Sequence, residues 1–185
     1  GVTMVTALVA TLLLAATTSP PAKKAASTDE VSPAVIFGRA APSTVVVRNR
    51  GVRSSAQGGG VVIGPGLVVT NHHVIADAAE ITVSAGSDRW KARLVADDEK
   101  RDLALLVVDG LHRPKVAMRA SSDLQVGDRV YAIGAPQGLE LTLSEGLISS
   151  LRKNGRSFLI QTSAPISPGS SGSGLYDASG QLIGI

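Results

Sequence analysis

Short apolar runs alternate with glycine- and proline-containing turns from Val35 to the end of the chain, and this pattern predicts strands. Val and Ile are frequent in these runs, and their branched side chains suit strands better than helices. The predicted strands are Thr44–Arg48, Gly60–Ile63, Leu67–Thr70, Ile81–Ser84, Lys91–Ala96, Ala104–Val108, Arg129–Ile133, Leu141–Ser149, Phe158–Gln161, Gly174–Tyr176 and Leu182–Ile185. A loop containing Pro114 separates two groups of strands, which predicts two barrels or a sandwich.

The first residues follow a different pattern, because Val2–Ala16 has no charged residue and the first charge is Lys23. The run is short for a membrane span and is similar to the apolar region of an export signal. We expect residues 1–18 to be a signal peptide or a membrane anchor, and both place the rest of the protein outside the cytoplasm. Residues 19–34 are rich in Pro, Ala, Lys and Ser, which predicts a disordered linker.

Composition excludes several functions. The chain has no cysteine, so no disulfide and no thiolate chemistry is available. A nucleic-acid surface would need a stronger positive charge than +3 and more aromatic residues than 3%. The basic clusters within 48–53 and 152–156 are interpreted as solvated loop charges. No group of residues has the spacing of metal ligands, so we expect no metal, no cofactor and no nucleic-acid partner.

Three separate segments carry polar residues suited to catalysis. They read TNHHVI at 70–75, RDLALL at 101–106 and SPGSSGSG at 167–174. Each has an ordinary explanation when taken singly: a surface histidine, a turn aspartate and a flexible linker. Together they supply an imidazole, a carboxylate and a hydroxyl, the three groups that nucleophilic acyl transfer needs. The combination therefore predicts a catalytic site assembled from distant parts of the chain.

The Gly/Ser run is better explained as a loop of demanding geometry than as a linker. Gly169 can adopt a positive φ angle without steric cost, which allows its N–H to turn inward, and Pro168 stiffens the entry. Apolar residues that read as core strands follow at 175–176 and 182–185. We expect this loop to present one hydroxyl, with backbone N–H groups beside it to hold a developing oxyanion.

The order His, Asp, Ser along the chain resembles that of the chymotrypsin-like serine proteases. The local sequence is similar to the bacterial HtrA/Deg branch of that family from about Pro42 to Ile185. The matching pieces are GGGVVI at 58–63, TNHHVI at 70–75, RDLALL at 101–106, VGD at 126–128, AIGAPQGL at 132–139, EGLIS at 145–149, QTSAPI at 161–166 and PGSSG at 168–172. All of these pieces stand in family order, which makes a chance resemblance very improbable.

The resemblance implies a role for each matching residue. His73 matches the catalytic base, because the family places that histidine directly before a valine. Asp102 matches the acid that orients the base, and Ser171 matches the nucleophile. The backbone N–H groups of Gly169 and Ser171, with Ser170 between them, match the oxyanion hole.

The resemblance also implies the architecture and the setting. The expected fold is all-β, with two six-stranded antiparallel barrels of the chymotrypsin/trypsin type. The first barrel would occupy 35–115 and the second 116–185, where the last strand is missing. The expected function is a serine endopeptidase that acts on polypeptides, including unfolded proteins, in periplasmic quality control or processing, with a homo-oligomer or a membrane anchor as further expectations. The alternative is an inactive protease-fold module that acts as a chaperone, binder or sensor.

Several positions depart from the family pattern. Ser170 stands where Asn is common, and only its backbone is needed. Ser173 stands where Gly is common, and it would strain the loop if that position required a positive φ angle. Ser163 and Ser167 replace an Asp and an Asn in the segment that shapes the site. The Ser173 departure and the missing strand are the reasons for keeping the inactive alternative.

The resemblance places Pro165 and Ile166 at the base of the substrate pocket. Neither side chain is acidic, so the sequence gives no support for cleavage after Lys or Arg. We expect a small or medium aliphatic residue at the cleaved position.

Overall fold

The computed structural model describes residues 31–135, 140–155 and 157–185. This part of the chain is dominated by strands, with two α-helices and three single turns of 3-10 helix. The α-helices are α1 (Pro33–Ala40) and α2 (His72–Ile75). The strands are β1 (Thr44–Gly51), β2 (Ser55–Gly64), β3 (Leu67–Thr70), β4 (Ala78–Ala85), β5 (Asp88–Asp98), β6 (Leu103–Val107), β7 (Arg129–Gly134), β8 (Thr142–Asn154), β9 (Ser157–Thr162), β10 (Gly174–Asp177) and β11 (Leu182–Gly184).

All the predicted strands are present, and several are longer than the apolar pattern indicated. β5 and β8 extend through mostly solvent-facing residues, which carry no apolar signal although their backbones pair with neighbours. Helix α1 was not predicted, because it is short. Its start follows from Ser32, whose hydroxyl accepts a hydrogen bond from the Val35 N–H, and from Pro33 at the first position. Ile36 and Ala40 lie one turn apart and are its buried residues.

The first six strands close into a barrel in the order β1-β2-β3-β6-β5-β4, and β4 pairs back onto β1. All neighbours in this barrel are antiparallel. Its interior is filled by aliphatic side chains, among them Val47, Val68, Val83 and Leu106, which are fully buried. A core of branched residues with no large aromatic ring at its centre agrees with the low aromatic content of the chain.

The remaining strands form a five-stranded antiparallel sheet in the order β11-β10-β7-β8-β9. A smaller core of Leu124, Val130, Ile148 and Ile183 lies within this part. The closed barrel and the sheet confirm the expected all-β fold of the chymotrypsin type. The domain boundaries stay predictions, and the expected signal or anchor at 1–18 lies outside the described residues. Within the described ranges, the structure contains no helix long and apolar enough to cross a membrane.

A third core joins α1 and the barrel to the sheet. It contains Ile36 from α1, Val61 from β2, and Tyr131 and Tyr176 from the sheet, all almost completely buried. Burial raises the pKa of Tyr176 to about 12, an effect that the neighbouring Thr44 hydroxyl opposes. Because side chains from both β units fill one core, the units are held in a fixed relation by apolar packing.

The turn after β10 is stabilised by a buried carboxylate. The Asp177 side chain is only 6% exposed, and its Oδ1 accepts hydrogen bonds from the Ser179 N–H and hydroxyl and from the Gln181 N–H. Its Oδ2 lies 3.3 Å from Nη1 of Arg119. Burial alone would raise the pKa of Asp177, but these hydrogen bonds outweigh burial and hold the pKa below the ordinary value of 3.8.

The lowered pKa of Asp177 makes a prediction about acid stability. A depressed folded pKa means that ionised Asp177 stabilises the fold fully above pH 3.8 and that this contribution is lost as the pH falls through the lower folded value. We expect Asp177→Asn to lower the free energy of unfolding at pH 7 by about 1–3 kcal/mol, and the deficit to shrink below pH 4. Urea unfolding across pH 7 to 3 measures both effects. Asp109→Asn is the control, because Asp109 is 87% exposed and should show neither; a deficit independent of pH would contradict the assignment.

Candidate active site

The pairing of β3 with β6 brings His73 and Asp102 together. Thr70 at the end of β3 pairs with Ala104 near the start of β6, so the residues just beyond these positions are neighbours. His73 lies in the single turn α2 that follows β3, and Asp102 immediately precedes β6. The two residues are 29 positions apart in sequence and in direct contact.

Two hydrogen bonds join His73 to Asp102. The His73 backbone N–H donates to Oδ1 at 2.9 Å, and the ring Nδ1 lies 2.7 Å from Oδ2. An ionised carboxylate can only accept, so Nδ1 donates to it, and in the neutral imidazole Nε2 then keeps its lone pair for a further proton. The side chains are 54% and 44% exposed, which leaves the ring open to a substrate. This arrangement suits a general base whose tautomer is fixed by an acid.

Asp102 itself has an unusual backbone. Its φ and ψ angles are 54° and 46°, the left-handed region, and among the described non-glycine residues only Asp77 shares a positive φ. This conformation costs about 1–2 kcal/mol for an ordinary residue, although Asp tolerates it better than most. The strain directs the carboxylate back toward α2, where it meets both N–H groups of His73.

A second histidine–aspartate pair lies beside the first. His72 Nδ1 is 3.0 Å from Oδ2 of Asp97, which is on β5. These side chains are 22% and 32% exposed, so this pair is less accessible than the first. The contact between His72 and Asp97 was not predicted from the sequence.

The loop that carries Ser171 lies against β2 and the end of β3. The Ser171 carbonyl accepts a hydrogen bond from the Gly59 N–H at 2.6 Å, and the Gly172 N–H donates to Oδ1 of Asn71 at 2.7 Å. A Cβ added to Gly58 would be 2.4 Å from the Ser171 carbonyl oxygen and 2.7 Å from a methyl group of Val74, the residue after His73. The structure thus brings the Ser171 backbone close to the His73 turn.

Backbone N–H groups in this loop are oriented by two glycines with positive φ, Gly169 at 89° and Gly172 at 82°. The Ser170 N–H donates to the Ser167 carbonyl at 3.0 Å. No residue of the described chain accepts a hydrogen bond from the N–H of Gly169 or of Ser171. Two N–H groups that flank the Ser170 peptide are therefore available to an anionic oxygen.

Ser173 does not strain the loop in the way its departure suggested. Among described residues the positive φ angles at non-glycine positions belong to Asp77 and Asp102, and the position after Ser171 that needs one is the glycine Gly172. The Ser173 side chain instead fills space left by two other glycines. A Cβ on Gly59 or on Gly134 would lie 2.3 Å from the Ser173 Oγ, and this hydroxyl is buried with no hydrogen-bond partner among the described residues.

The segment that precedes the serine loop packs along β8. The Ser163 hydroxyl accepts a hydrogen bond from the Leu147 N–H at 3.0 Å, and the Pro165 carbonyl accepts one from the Ser144 hydroxyl at 2.6 Å. Ile166 is 64% exposed. Pro165 and Ile166 thus lie on a supported segment with an apolar side chain open to solvent. Residues 136–139, which belong to one matching piece, lie outside the described residues.

Two residues of the site had no predicted role of their own, although both belong to the TNHHVI segment. Thr70 donates its hydroxyl proton to the Gly59 carbonyl at 2.7 Å, and Asn71 contacts both Gly172 and Asp102. The sequence offers one signal for them, a Thr-Asn pair directly at the end of an apolar strand, and it does not distinguish these contacts from an ordinary helix cap. In the described residues no three His, Asp or Glu side chains are placed to hold a metal ion.

The closed barrel, the five-stranded sheet and the short helices have the architecture of chymotrypsin-like proteases. The family model described as the trypsin-like peptidase domain matches residues 58–185. The chain therefore belongs to the trypsin-like peptidase domain family.

Individual relatives agree with this family. Over 135 residues the chain is 40% identical to a probable periplasmic serine endoprotease, DegP-like, of Pseudomonas fluorescens, covering 69% of this chain and 28% of the relative. It is 39% identical to the chloroplastic protease Do-like 1 of Arabidopsis thaliana, covering 85% of this chain and 41% of the relative. The solved structure of the HtrA-type protease AlgW with a tripeptide matches with a TM-score of 0.76 and 36% identity, covering 84% of this chain and 54% of that one. The chain thus spans well under two thirds of the relatives it matches.

The glycine after Ser171 gives a matched pair of variants. Gly172 and Gly180 both have a φ of 82°, so an alanine would be strained by the same positive φ angle at either position. A Cβ on Gly172 would also lie 2.2 Å from the Gly59 carbonyl oxygen, whereas at Gly180 the nearest atom is 3.9 Å away. We expect Gly180→Ala to cost about 1 kcal/mol and Gly172→Ala at least about 3 kcal/mol in urea unfolding. Equal losses of unfolding free energy in the two variants would show that the close contact between Gly172 and Gly59 does not affect stability.

Proposed function

We propose that this protein is an exported serine endopeptidase that cleaves polypeptides through an acyl-enzyme formed on Ser171. The observation that carries the proposal is the double hydrogen bond between His73 and Asp102, which fixes the ring with Nε2 free to take a proton. The nearby Ser171 loop, with its two N–H groups free among the described residues, supplies the other half of the site.

The chemistry follows from these groups. His73 Nε2 removes the Ser171 hydroxyl proton while Oγ attacks the substrate carbonyl carbon, and the N–H groups of Gly169 and Ser171, on either side of Ser170, hold the oxygen that becomes negative. The protonated ring then gives its proton to the leaving amine, and the amide bond breaks to leave an ester on Ser171. Water, deprotonated by His73, hydrolyses the ester and regenerates the hydroxyl. Asp102 stays ionised and stabilises the charged ring throughout.

The substrate class follows from the segment before the nucleophile. Pro165 and Ile166 offer an apolar surface with no carboxylate to attract Lys or Arg, so a small or medium aliphatic residue is proposed at the cleaved position. The name of one relative, a probable periplasmic serine endoprotease, supports a location outside the cytoplasm. A role in protein quality control or processing is part of the same proposal. A homo-oligomer is proposed as the working form.

The second histidine–aspartate pair provides controls in which the residue types match. We expect Ser171→Ala to lower kcat by about 10⁶-fold and Asp102→Asn by about 10⁴-fold, because the first removes the nucleophile and the second favours the wrong tautomer of His73. Asp97→Asn and His72→Gln disrupt the neighbouring pair and should leave kcat within about 3-fold, because the described hydrogen bonds of that pair do not include Asp102 or the Ser171 loop. Peptide hydrolysis by the complete protein measures these changes.

Covalent labelling separates the enzyme from the inactive alternative. A fluorophosphonate probe should label folded wild-type protein at Ser171, as read by peptide mass spectrometry, and should not label Ser171→Ala. Folded protein that binds polypeptides but is neither labelled nor able to turn over casein would favour the protease-fold binding module instead.

A further inference from the structure

We propose that Asn71 is a positioning residue that holds Asp102 and the loop carrying Ser171 in a fixed position relative to each other. The inference rests on the proposed function, because its value lies in aligning Asp102 and Ser171 with His73. It concerns a residue that touches neither substrate nor the reacting atoms.

The position of Asn71 would ordinarily indicate a helix cap. Asn71 directly precedes α2, its φ and ψ angles of −79° and 146° are those of a capping residue, and Asn is among the best caps. Its side chain nevertheless makes no capping hydrogen bond to α2. The amide is directed elsewhere, and its contacts require another explanation.

Both ends of the Asn71 amide bind backbone groups of other loops. Nδ2 donates to the Asp102 carbonyl at 2.8 Å, and Oδ1 accepts from the Gly172 N–H at 2.7 Å. Asn71 is only 9% exposed, so both bonds lie in a region of low solvent access where they are stronger than on the surface. One side chain therefore bridges the residue that carries the acid and the residue that follows the nucleophile.

The bond to Gly172 completes the restraint of a single peptide unit. The peptide between Ser171 and Gly172 has its carbonyl held by the Gly59 N–H at 2.6 Å and its N–H held by Asn71. Gly59 is itself held, because its carbonyl accepts the Thr70 hydroxyl at 2.7 Å. The consecutive residues Thr70 and Asn71 thus fix both sides of the peptide that leaves Ser171.

The bond to Asp102 acts on a strained residue. Asp102 is in the left-handed region, where the free energy of the chain favours relaxation to another conformation. Holding its carbonyl keeps the following peptide in place while the carboxylate bonds to His73. Only an amide of this length offers one donor and one acceptor, since a carboxylate lacks the donor and a hydroxyl is shorter.

Kinetics in the complete protein test the positioning role. We expect Asn71→Ala to lower kcat by about 10²-fold while KM changes by less than about 3-fold, because misalignment affects the transition state more than ground-state binding. Asn71→Asp keeps the acceptor for Gly172 but places an oxygen opposite the Asp102 carbonyl, so we expect a loss at least as large as that of Asn71→Ala. Asn71→Ser, whose hydroxyl cannot reach both partners, is the second variant to use where Asn71→Ala does not fold.

The chain offers a matched control in Asn49. This asparagine is 5% exposed and its Nδ2 donates to the Ala76 carbonyl at 2.8 Å, but it has no hydrogen bond to Asp102 or to the Ser171 loop. Asn49→Ala should lower Tm as Asn71→Ala does and leave kcat within about 3-fold. Equal effects of the two variants on kcat would overturn the proposal, because Asn71 would then be an ordinary buried amide.

A spectroscopic arm is independent of catalysis. The Nδ1–H proton of His73, hydrogen-bonded to a carboxylate, should give a far-downfield proton resonance that disappears in His73→Gln and persists in His72→Gln. We expect it to persist in Asn49→Ala and Ser171→Ala and to be lost or broadened in Asn71→Ala. If wild-type protein takes no fluorophosphonate label, the proposed function fails while this arm still decides the role of Asn71. Persistence of the resonance in Asn71→Ala, with kcat like that of Asn49→Ala, would overturn the proposal.

Discussion

The register of β3 against β6 is the constraint on which the site depends. Antiparallel pairing of Thr70 with Ala104 fixes which residues stand beside each other where the two strands meet the surface. A slip of β3 by one residue would turn its side chains to the opposite face, and Val68 would leave the barrel core. The apolar packing that sets this register therefore also sets the distance between His73 and Asp102. The barrel core and the His73–Asp102 contact both depend on the pairing of β3 with β6.

The nucleophile loop is positioned by close backbone contact with β2. No side chain would fit at Gly58 or Gly59, because the Ser171 carbonyl and the Ser173 side chain occupy the space that a Cβ would need. Because these two glycines have no side chains, the Gly59 N–H can reach the Ser171 carbonyl at 2.6 Å. Side chains fill the core between the two β units, and at the Ser171 loop main chain meets main chain directly. Such an approach transmits the rigidity of a strand directly to the loop that it touches.

How far the sequence predicts this structure depends on the kind of signal. The strands were predictable because runs such as that of β3 alternate with turn residues, and the barrel type and the candidates His73, Asp102 and Ser171 came from the resemblance. The ends of β5 and helix α1 were not predictable, since solvent-facing strand residues and a helix of two turns leave no clear apolar period. The double role of Asn71 was hidden for another reason. A polar residue before a helix has the same appearance in sequence whether its amide caps that helix or reaches a loop 101 residues away.

The two histidine–aspartate pairs show why residue type is insufficient to define a base. His72 with Asp97 and His73 with Asp102 have the same chemistry and similar hydrogen-bond lengths, and the histidines are adjacent. They differ in what surrounds the acid. Asp97 lies within the long strand β5, whereas Asp102 is a left-handed residue whose carbonyl is tied through Asn71 to the serine loop. The strain of about 1–2 kcal/mol at Asp102 is already present in the folded protein, so the acid does not need to reorganise when substrate arrives. It is this connection to the Ser171 loop, absent in the described contacts of the His72–Asp97 pair, that makes the His73–Asp102 pair the candidate for catalysis.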